Sequence, residues 1–184
     1  MCNEKTDARV RYTQKVLKES FLKLLEEKPV NKITVKEVCE LAELNRATFY
    51  AHYTDCFALL ESIEDEMLEG FEESLKYIRS LDVTSLMSAI YEMIERNDHA
   101  CRVLVFHGGD RKILGKMIEL AREKSIDYWR GELKNATEEE LDMLYIHLSN
   151  GLLHVVIDGY GKYSRQRLSD FINRIVVSTL RAFK

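Results

Sequence analysis

Residues 33–53 contain two short helical segments joined by a tight turn, and they constrain the fold more than any other part of the chain. Thr34 and Glu37 have the spacing of a capping box, so a helix is predicted to begin at Thr34. Asn45 is a good N-cap for a second helix over 46–52. In the first helix three apolar residues share one face and are predicted to be buried: Val38, Leu41 and Ala42.

The second helix of this hairpin has an apolar face and a polar face. Phe49 and Tyr53 lie four residues apart and are predicted to join Leu44 in the core. The opposite face is predicted to be exposed, and it carries Arg46, Ala47, Tyr50 and Ala51. A short helix whose apolar face packs in the core, and whose exposed face carries Arg, Tyr and small residues, suits insertion into the major groove of DNA. The pattern therefore predicts a helix-turn-helix motif.

The same residues resemble the N-terminal DNA-binding domain of the tetracycline-repressor (TetR/AcrR) regulators. The resemblance covers about a third of the chain, including 9–13 and 15–27, and rests on Thr34, Val38, Ala42, Leu44, 48–50 and 52–53. Two positions depart from the family pattern. Glu43 stands in the turn where the family usually has Gly, which implies a turn that needs no positive φ at this residue. Cys56 stands where a Lys commonly opens the fourth helix, which removes one phosphate contact.

This resemblance implies DNA contacts from named residues. Base edges are read in the family at the positions of Arg46, Ala47 and Tyr50, and phosphates are contacted at those of Thr34, Thr48, Tyr50 and His52. An Arg can donate two hydrogen bonds to guanine, and an Ala can contact a thymine methyl group. A flexible arm in the adjacent minor groove is expected from Lys5, Arg9 and Arg11. The alternatives are that Tyr50 only packs and that Thr34 only caps its helix.

The composition favours long helices, because the 184 residues include one Pro and eight Gly. We predict an all-α fold in which a three-helix domain over 1–54 precedes a helical regulatory and dimerisation domain over 55–184. Short apolar runs at 102–106 and 155–157 have strand propensity, but they lack neighbouring hairpin turns and are predicted to be helical. About nine helices are predicted, at 7–27, 34–42, 46–52, 55–79, 84–96, 98–107, 110–133, 137–159 and 164–183.

Charge is distributed unevenly along the chain. Residues 1–36 have a charge balance of +4 and residues 55–184 one of −6, so a basic N-terminal end would face phosphates.

Four cysteines form no C-x-x-C pair, and His99, Cys101 and His107 lack the spacing of a structural zinc site, so neither metal nor cofactor is expected. No catalytic motif, signal peptide or long apolar run is present, so a cytoplasmic protein that is not an enzyme is expected.

The last two predicted helices are apolar on two sides. One side can cover the domain's own core and the other side calls for a partner, which predicts a four-helix contact between two subunits. The residues predicted to form it are Leu152, Val155, Val156, Phe171 and Ile175. The alternative is that both sides are buried within one subunit.

The resemblance further implies an inducer pocket in the C-terminal domain, between the helix that starts near Asp55 and those over 84–133. Candidate lining residues are Tyr91, Phe106, Trp129, Tyr145 and His147, with an ordinary core role as the alternative.

The expected function is that of a homodimeric regulator that binds a palindromic operator in double-stranded DNA and acts as a repressor until a small molecule releases it. Two alternatives remain: control by a protein partner without such a pocket, or an all-α adaptor or enzyme with a structural hairpin. The operator, target genes, sign of regulation and effector do not follow from the sequence.

Overall fold

The computed structural model describes the backbone of residues 2–80, 82–106 and 112–184, and the side chains of 8–78, 82–106 and 112–184. These ranges contain nine α-helices and no β-strand, so the predicted all-α class is confirmed within them. The helices are α1 (Cys2–Glu27), α2 (Val35–Leu41), α3 (Arg46–Tyr50), α4 (Cys56–Ser74), α5 (Val83–Arg96), α6 (Asp98–Cys101), α7 (Lys112–Glu132), α8 (Glu138–Gly159) and α9 (Arg165–Arg181). No helix within these ranges combines the length and apolar character that crossing a bilayer requires.

Three shorter helical segments differ from the expected pattern. A 3-10 helix, Val30–Lys32, follows α1, and another, Leu75–Ser80, takes the place of the predicted last turns of α4. At the end of α4 the Ser74 hydroxyl donates to the Phe71 carbonyl at 2.6 Å, a side-chain bond that competes with the helical ladder. The segment 102–106 is neither a strand nor α-helix, because it forms a π-helix, Arg102–Phe106.

The chain divides into two compact units, Met1–Glu66 and Met67–Lys184, with the boundary inside α4. The functional division at residue 54 that the motif suggests stays a prediction. The core of the first unit is built from α1 to α4 and is fully or almost fully buried; it includes Leu17, Phe21, Val38, Phe49 and Leu59. The core of the second unit joins α5, α7, α8 and α9, and includes Tyr91, Trp129, Leu141, Leu148 and Ile172.

Two capping boxes are present, the one predicted at Thr34 and a second at Thr137. Thr34 caps α2, because its hydroxyl accepts from the Glu37 N–H at 3.3 Å while Glu37 accepts from the Thr34 N–H at 2.9 Å. Thr137 and Glu140 form the same pair at the start of α8, at 3.2 and 2.8 Å. Each box satisfies two N–H groups that a helix start leaves without intrahelical partners, so both helix starts are fixed by local sequence.

The prediction for the turn between α2 and α3 was wrong. Glu43 has φ 54°, the left-handed conformation that Gly usually supplies. The Leu44 N–H donates to the Cys39 carbonyl at 3.0 Å and the Glu43 N–H donates to the Glu40 carbonyl at 3.3 Å. These two bonds define a Schellman motif, which places its C′ residue in this conformation. The hydrogen bonds of the helix end therefore determine the turn, and Glu43 is held in it despite its side chain.

Replacing Glu43 by Gly is expected to stabilise the first unit by about 1 kcal/mol, because an L-residue in this conformation carries roughly that cost. The matched control is Glu40→Gly, at an exposed position inside α2, which should destabilise by about 0.5–1 kcal/mol. Urea unfolding of both variants measures the two signs. Equal destabilisation by the two substitutions would show that the turn is unstrained.

Candidate nucleic-acid interface and C-terminal cavity

Helix α3 is fixed by a cap at its start and by aromatic packing behind it. The Asn45 side chain accepts from the Thr48 N–H at 2.7 Å, as predicted for an N-cap. Phe49 has no exposed surface, and its ring lies 5.9 Å from that of Tyr53, which is also buried. Leu44, predicted to join them, is half-buried. Because one face of α3 is held in the core, the other face must point outward.

The outward face of α3 carries the residues expected there. Arg46, Ala47, Tyr50 and Ala51 are all exposed. Tyr50 is 58% exposed, which argues against a purely packing role; its ring meets Phe49 edge-on at 5.7 Å. An exposed guanidinium, a phenol and two methyl groups on one short helix can offer hydrogen-bond donors and apolar contact to a groove of DNA.

The residues predicted to contact phosphates have different surroundings. Thr34 is exposed, but its hydroxyl also donates to Glu37 Oε2 at 2.8 Å within the capping box. The half-buried Thr48 donates its hydroxyl to Asn45 Oδ1 at 3.0 Å. His52 is half-buried with its ring 6.3 Å from Tyr53. Both hydroxyls therefore already serve a helix start, and their contact with phosphate stays a prediction.

The expectation of a flexible N-terminal arm was wrong for both of its arginines. Arg9 and Arg11 lie within α1, which begins at Cys2 rather than near residue 7. The Thr13 hydroxyl donates to the Arg9 carbonyl at 2.9 Å, as in a regular helical turn. Both arginines are exposed cations on a helix surface, and an extended arm would require α1 to unwind.

Two features near the hairpin affect its electrostatics. The Lys28 ammonium and the Thr34 hydroxyl lower the pKa of Glu37 to about 2, so the capping carboxylate keeps its charge down to strongly acidic pH. Cys56, at the first position of α4, is buried, and burial raises the pKa of its thiol to about 11. A neutral buried thiol cannot contact phosphate, which agrees with the loss of one such contact.

Leu41 corrects the predicted buried face of α2. It is 46% exposed, whereas Cys39, one residue after Val38, is buried. The buried face is therefore centred on Val38, Cys39 and Ala42, and Leu41 lies at its edge. The helical spacing therefore identified Val38 and Ala42 correctly and was wrong for Leu41.

The second unit contains a cavity of about 230 Å³. Its walls come from the last turns of α4, from α5, α7, α8 and α9, and from the π-helix. The cavity therefore lies in the expected region, between the helix that starts near Asp55 and the helices over 84–133, although α8 and α9 also contribute. Of the predicted lining residues, Phe106, Trp129 and Tyr145 border the cavity.

The other two predicted lining residues lie elsewhere. His147 is exposed on α8, because Tyr145 and Leu148 on either side of it define the core face of that helix. Tyr91 is buried but does not border the cavity; its ring packs under the Arg165 guanidinium at 4.8 Å and stacks 6.3 Å from Tyr160. The alternative core role therefore describes Tyr91 better than a pocket role.

The predicted dimerisation residues fall into two groups. Leu152, Val155 and Val156 are half-buried against their own core, since they continue the core face of α8. Phe171 and Ile175 are exposed on α9. Two further apolar residues are exposed on the opposite face of α8, Met143 and Ile146, each 60% exposed; sequence reasoning placed Ile146 on a second apolar face but missed Met143. Their spacing of three residues was the signal that could have identified Met143.

The candidate metal ligands form no site in the described residues, where no group of three or more His, Cys, Asp or Glu side chains could hold an ion. Cys101 is buried, and burial raises the pKa of its thiol to about 12, so it is held as a neutral thiol. His107 lies outside the described residues.

No family model matches the chain. Over 59 residues, which are 32% of this chain, it is 36% identical to YxbF of Bacillus subtilis (strain 168), an uncharacterized HTH-type transcriptional regulator; the match spans 16% of that protein.

Similarity to solved structures extends over nearly the whole chain. A TetR transcriptional regulator from Streptococcus agalactiae 2603V matches with TM-score 0.66 at 22% identity, covering 95% of this chain and 98% of that chain. The dihydroxyacetone kinase operon activator DhaS matches with TM-score 0.61 at 15% identity, covering 94% and 98%. PfmR, a TetR-family regulator from Thermus thermophilus, matches with TM-score 0.60 at 16% identity, covering 91% and 94%. The chain therefore has the fold of TetR-type transcriptional regulators.

Proposed function

We propose that this chain, which has the TetR-type transcriptional-regulator fold, is a homodimeric cytoplasmic repressor that binds a palindromic DNA operator and is released by a small molecule. The observation that carries the proposal is the exposed face of α3. This face exposes Arg46, Ala47 and Tyr50, and on the other side of the helix Phe49 is buried in the core. A helix presented in this way can place three side chains on base edges in a major groove.

Charge supports a DNA contact from the residues that precede the hairpin. Residues 1–36 have a balance of +4 against −6 over 55–184, whereas 37–54 carry one Arg and three Glu, so the attraction to phosphates comes from α1 and the start of the hairpin. Arg9 and Arg11, on the surface of α1, contribute to this attraction without reading bases. Thr34 and Thr48 lie at the starts of α2 and α3, and we expect their hydroxyls to contact phosphates in the complex.

Dimerisation is supported by exposed apolar side chains on the last two helices. Four large apolar side chains are exposed there, and we group them as the α8–α9 patch: Met143 and Ile146 on α8, Phe171 and Ile175 on α9. A contiguous exposed apolar surface on two neighbouring helices would mark an interaction surface. A symmetric pairing of this patch would bury it in a four-helix contact and would give the dimer two copies of α3, one for each half-site of an operator.

The cavity favours small-molecule control over control by a protein partner alone. A second unit packed solid would have left no space for an effector, whereas about 230 Å³ is open in this one. Phe71, near the end of α4, borders the cavity, and α4 runs without a break from the first unit into the second. An effector that binds one arrangement of α4 better than another would shift operator affinity by its differential affinity for the two arrangements.

The third possibility, an adaptor or enzyme with a structural hairpin, is disfavoured by structural neighbours that are transcriptional regulators.

The base-reading role of Arg46 is tested by comparing two substitutions. Arg46→Ala should lower affinity for the operator by about 1–3 kcal/mol and leave affinity for a scrambled duplex nearly unchanged, because a bidentate contact to guanine is lost. Arg11→Ala, the matched control, should weaken binding to both duplexes and reduce the salt dependence. The measurement is a binding titration with both duplexes at two salt concentrations. An equal loss on both duplexes for Arg46→Ala would make Arg46 a phosphate contact.

A further inference from the structure

We propose that the cavity of the second unit takes an uncharged, largely apolar molecule that is larger than benzene and carries a single neutral hydrogen-bonding group. The inference rests on the proposed function in taking this ligand as the effector. The binding itself depends only on the cavity.

The size of the cavity sets the scale of the ligand. Its volume of about 230 Å³ exceeds the roughly 150 Å³ of an engineered apolar cavity that holds benzene. A two-ring aromatic compound or a chain of about eight to ten carbons is the corresponding size, on the order of ten heavy atoms. Larger natural products would require the surrounding helices to separate.

The described part of the wall disfavours an anionic ligand. The described residues that border the cavity include no Lys, Arg or His, and Asp82 is the charged side chain among them. Asp82 is exposed and already accepts from the Ser85 N–H at 3.0 Å as the cap of α5. A carboxylate or phosphate on the ligand would therefore find no cationic partner among these described residues and would be left unpaired against an apolar wall. Most of the wall is aliphatic or aromatic, from residues such as Leu86, Ile90, Val105, Phe106, Leu152 and Ile157.

A few neutral polar groups on the wall can orient a ligand. Ser125 borders the cavity and is 6% exposed, and Ser149 borders it from α8, where its hydroxyl donates to the Ile146 carbonyl at 3.5 Å and can still accept. The Tyr145 hydroxyl donates to the Ile118 carbonyl, so its proton is already committed to the protein. Serine hydroxyls can donate to or accept from a ligand hydroxyl or carbonyl. The site therefore matches one neutral polar group on an apolar skeleton.

The π-helix supports the assignment of this cavity as a binding site. Val105 and Phe106, its last two residues, border the cavity and are half-buried. The Phe106 ring stacks on Tyr160 at 4.5 Å with 9° between the planes, which fixes the ring at the wall. Single turns of π-helix occur frequently at functional sites, because they re-aim side chains that a regular α-helix would place elsewhere.

Matched pairs of probes test the charge requirement. Calorimetry and thermal shift would compare 2-naphthol with 2-naphthoate, and 1-octanol with octanoate, on the wild-type chain. The neutral member of each pair should bind, and the carboxylate should bind at least about 100-fold more weakly, because its charge is unpaired in the cavity. Equal binding of the two members of a pair, or no binding by either neutral probe, would overturn the proposal.

A cavity-filling variant tests the location. Ala121 borders the cavity from α7, so Ala121→Phe should lower affinity for the neutral probes at least about 10-fold. Glu123→Phe adds the same ring on the exposed side of α7 and should bind like the wild type. If Ala121→Phe does not fold, Ser125→Ala should weaken 2-naphthol binding by about 5–10-fold through its lost hydroxyl. Undiminished binding by a folded Ala121→Phe, or by Ser125→Ala in its place, would put the probe elsewhere and contradict the proposal.

The two proposals fail in different ways. DNA titrations of the unliganded protein test regulator function without any probe. A chain that binds 2-naphthol but no DNA keeps the cavity assignment and loses the proposed function. A chain that binds operator but neither neutral probe keeps the regulator and loses the cavity assignment.

Discussion

Phe49→Ala is expected to destabilise the first unit by about 3–5 kcal/mol, because it removes a fully buried ring from the centre of the hairpin. A unit of this size has a total free energy of unfolding of roughly 3–10 kcal/mol, so the loss ranges from about a third to all of its stability. Tyr53, whose ring lies 5.9 Å away, would lose its aromatic partner as well. Operator binding should therefore disappear together with the hairpin. Urea unfolding followed by circular dichroism would measure the loss of stability, and a titration with operator would measure the loss of binding.

The neighbouring residue provides the control for this experiment. Tyr50→Ala removes an aromatic ring of similar size that is 58% exposed, so the stability should change by no more than about 0.5 kcal/mol. Its operator affinity should nevertheless fall. A large loss of stability in Tyr50→Ala, or a stable Phe49→Ala that still binds operator, would show that the faces of α3 are assigned the wrong way round.

Placing a charge in the α8–α9 patch is expected to convert the dimer to monomer. Ile146→Asp and Ile175→Asp each introduce a carboxylate that a symmetric interface would bury twice. At about 3 kcal/mol for each copy, the dimer dissociation constant should rise roughly 10⁴-fold. Operator affinity should fall with it by about 10²–10⁴-fold, because each monomer reaches one half-site alone.

Light scattering at micromolar concentration would measure the mass of each variant. Tyr163→Asp is the control, because Tyr163 is a large exposed residue between α8 and α9 and outside the patch. This variant should keep the mass of a dimer. A wild-type chain that is already a folded monomer, or dimers that persist in both Ile146→Asp and Ile175→Asp, would contradict the proposed interface.

Local sequence signals predicted the helix-turn-helix hairpin closely. The capping pairs at Thr34, Asn45 and Thr137 involve atoms three residues apart, so their outcome depends little on the rest of the fold. The exposed face of α3 follows in the same way from the spacing of Phe49 and Tyr53. Short-range patterns with a physical partner close in the sequence were therefore the reliable ones.

One local feature and several that depend on tertiary packing were predicted less well. Glu43 adopts a positive φ because two helix-end carbonyls bond to the turn, a local requirement that its residue type conceals. His147 looked suitable for a pocket by composition, yet its position on α8 makes it exposed. Leu152 and Val156 belong to a helix that is apolar on both sides, so only packing decides which side meets the protein's own core.

Titrating the purified chain with duplexes from the region upstream of its own gene shows whether a dimer reads an operator through α3. We expect saturation at two chains for each specific duplex and affinity that falls steeply with salt. We also expect two protected half-sites whose centres lie one helical turn of DNA, or a multiple of it, apart. Binding of single chains without any preferred sequence, or no binding to any of these duplexes at low salt, would contradict the proposed function.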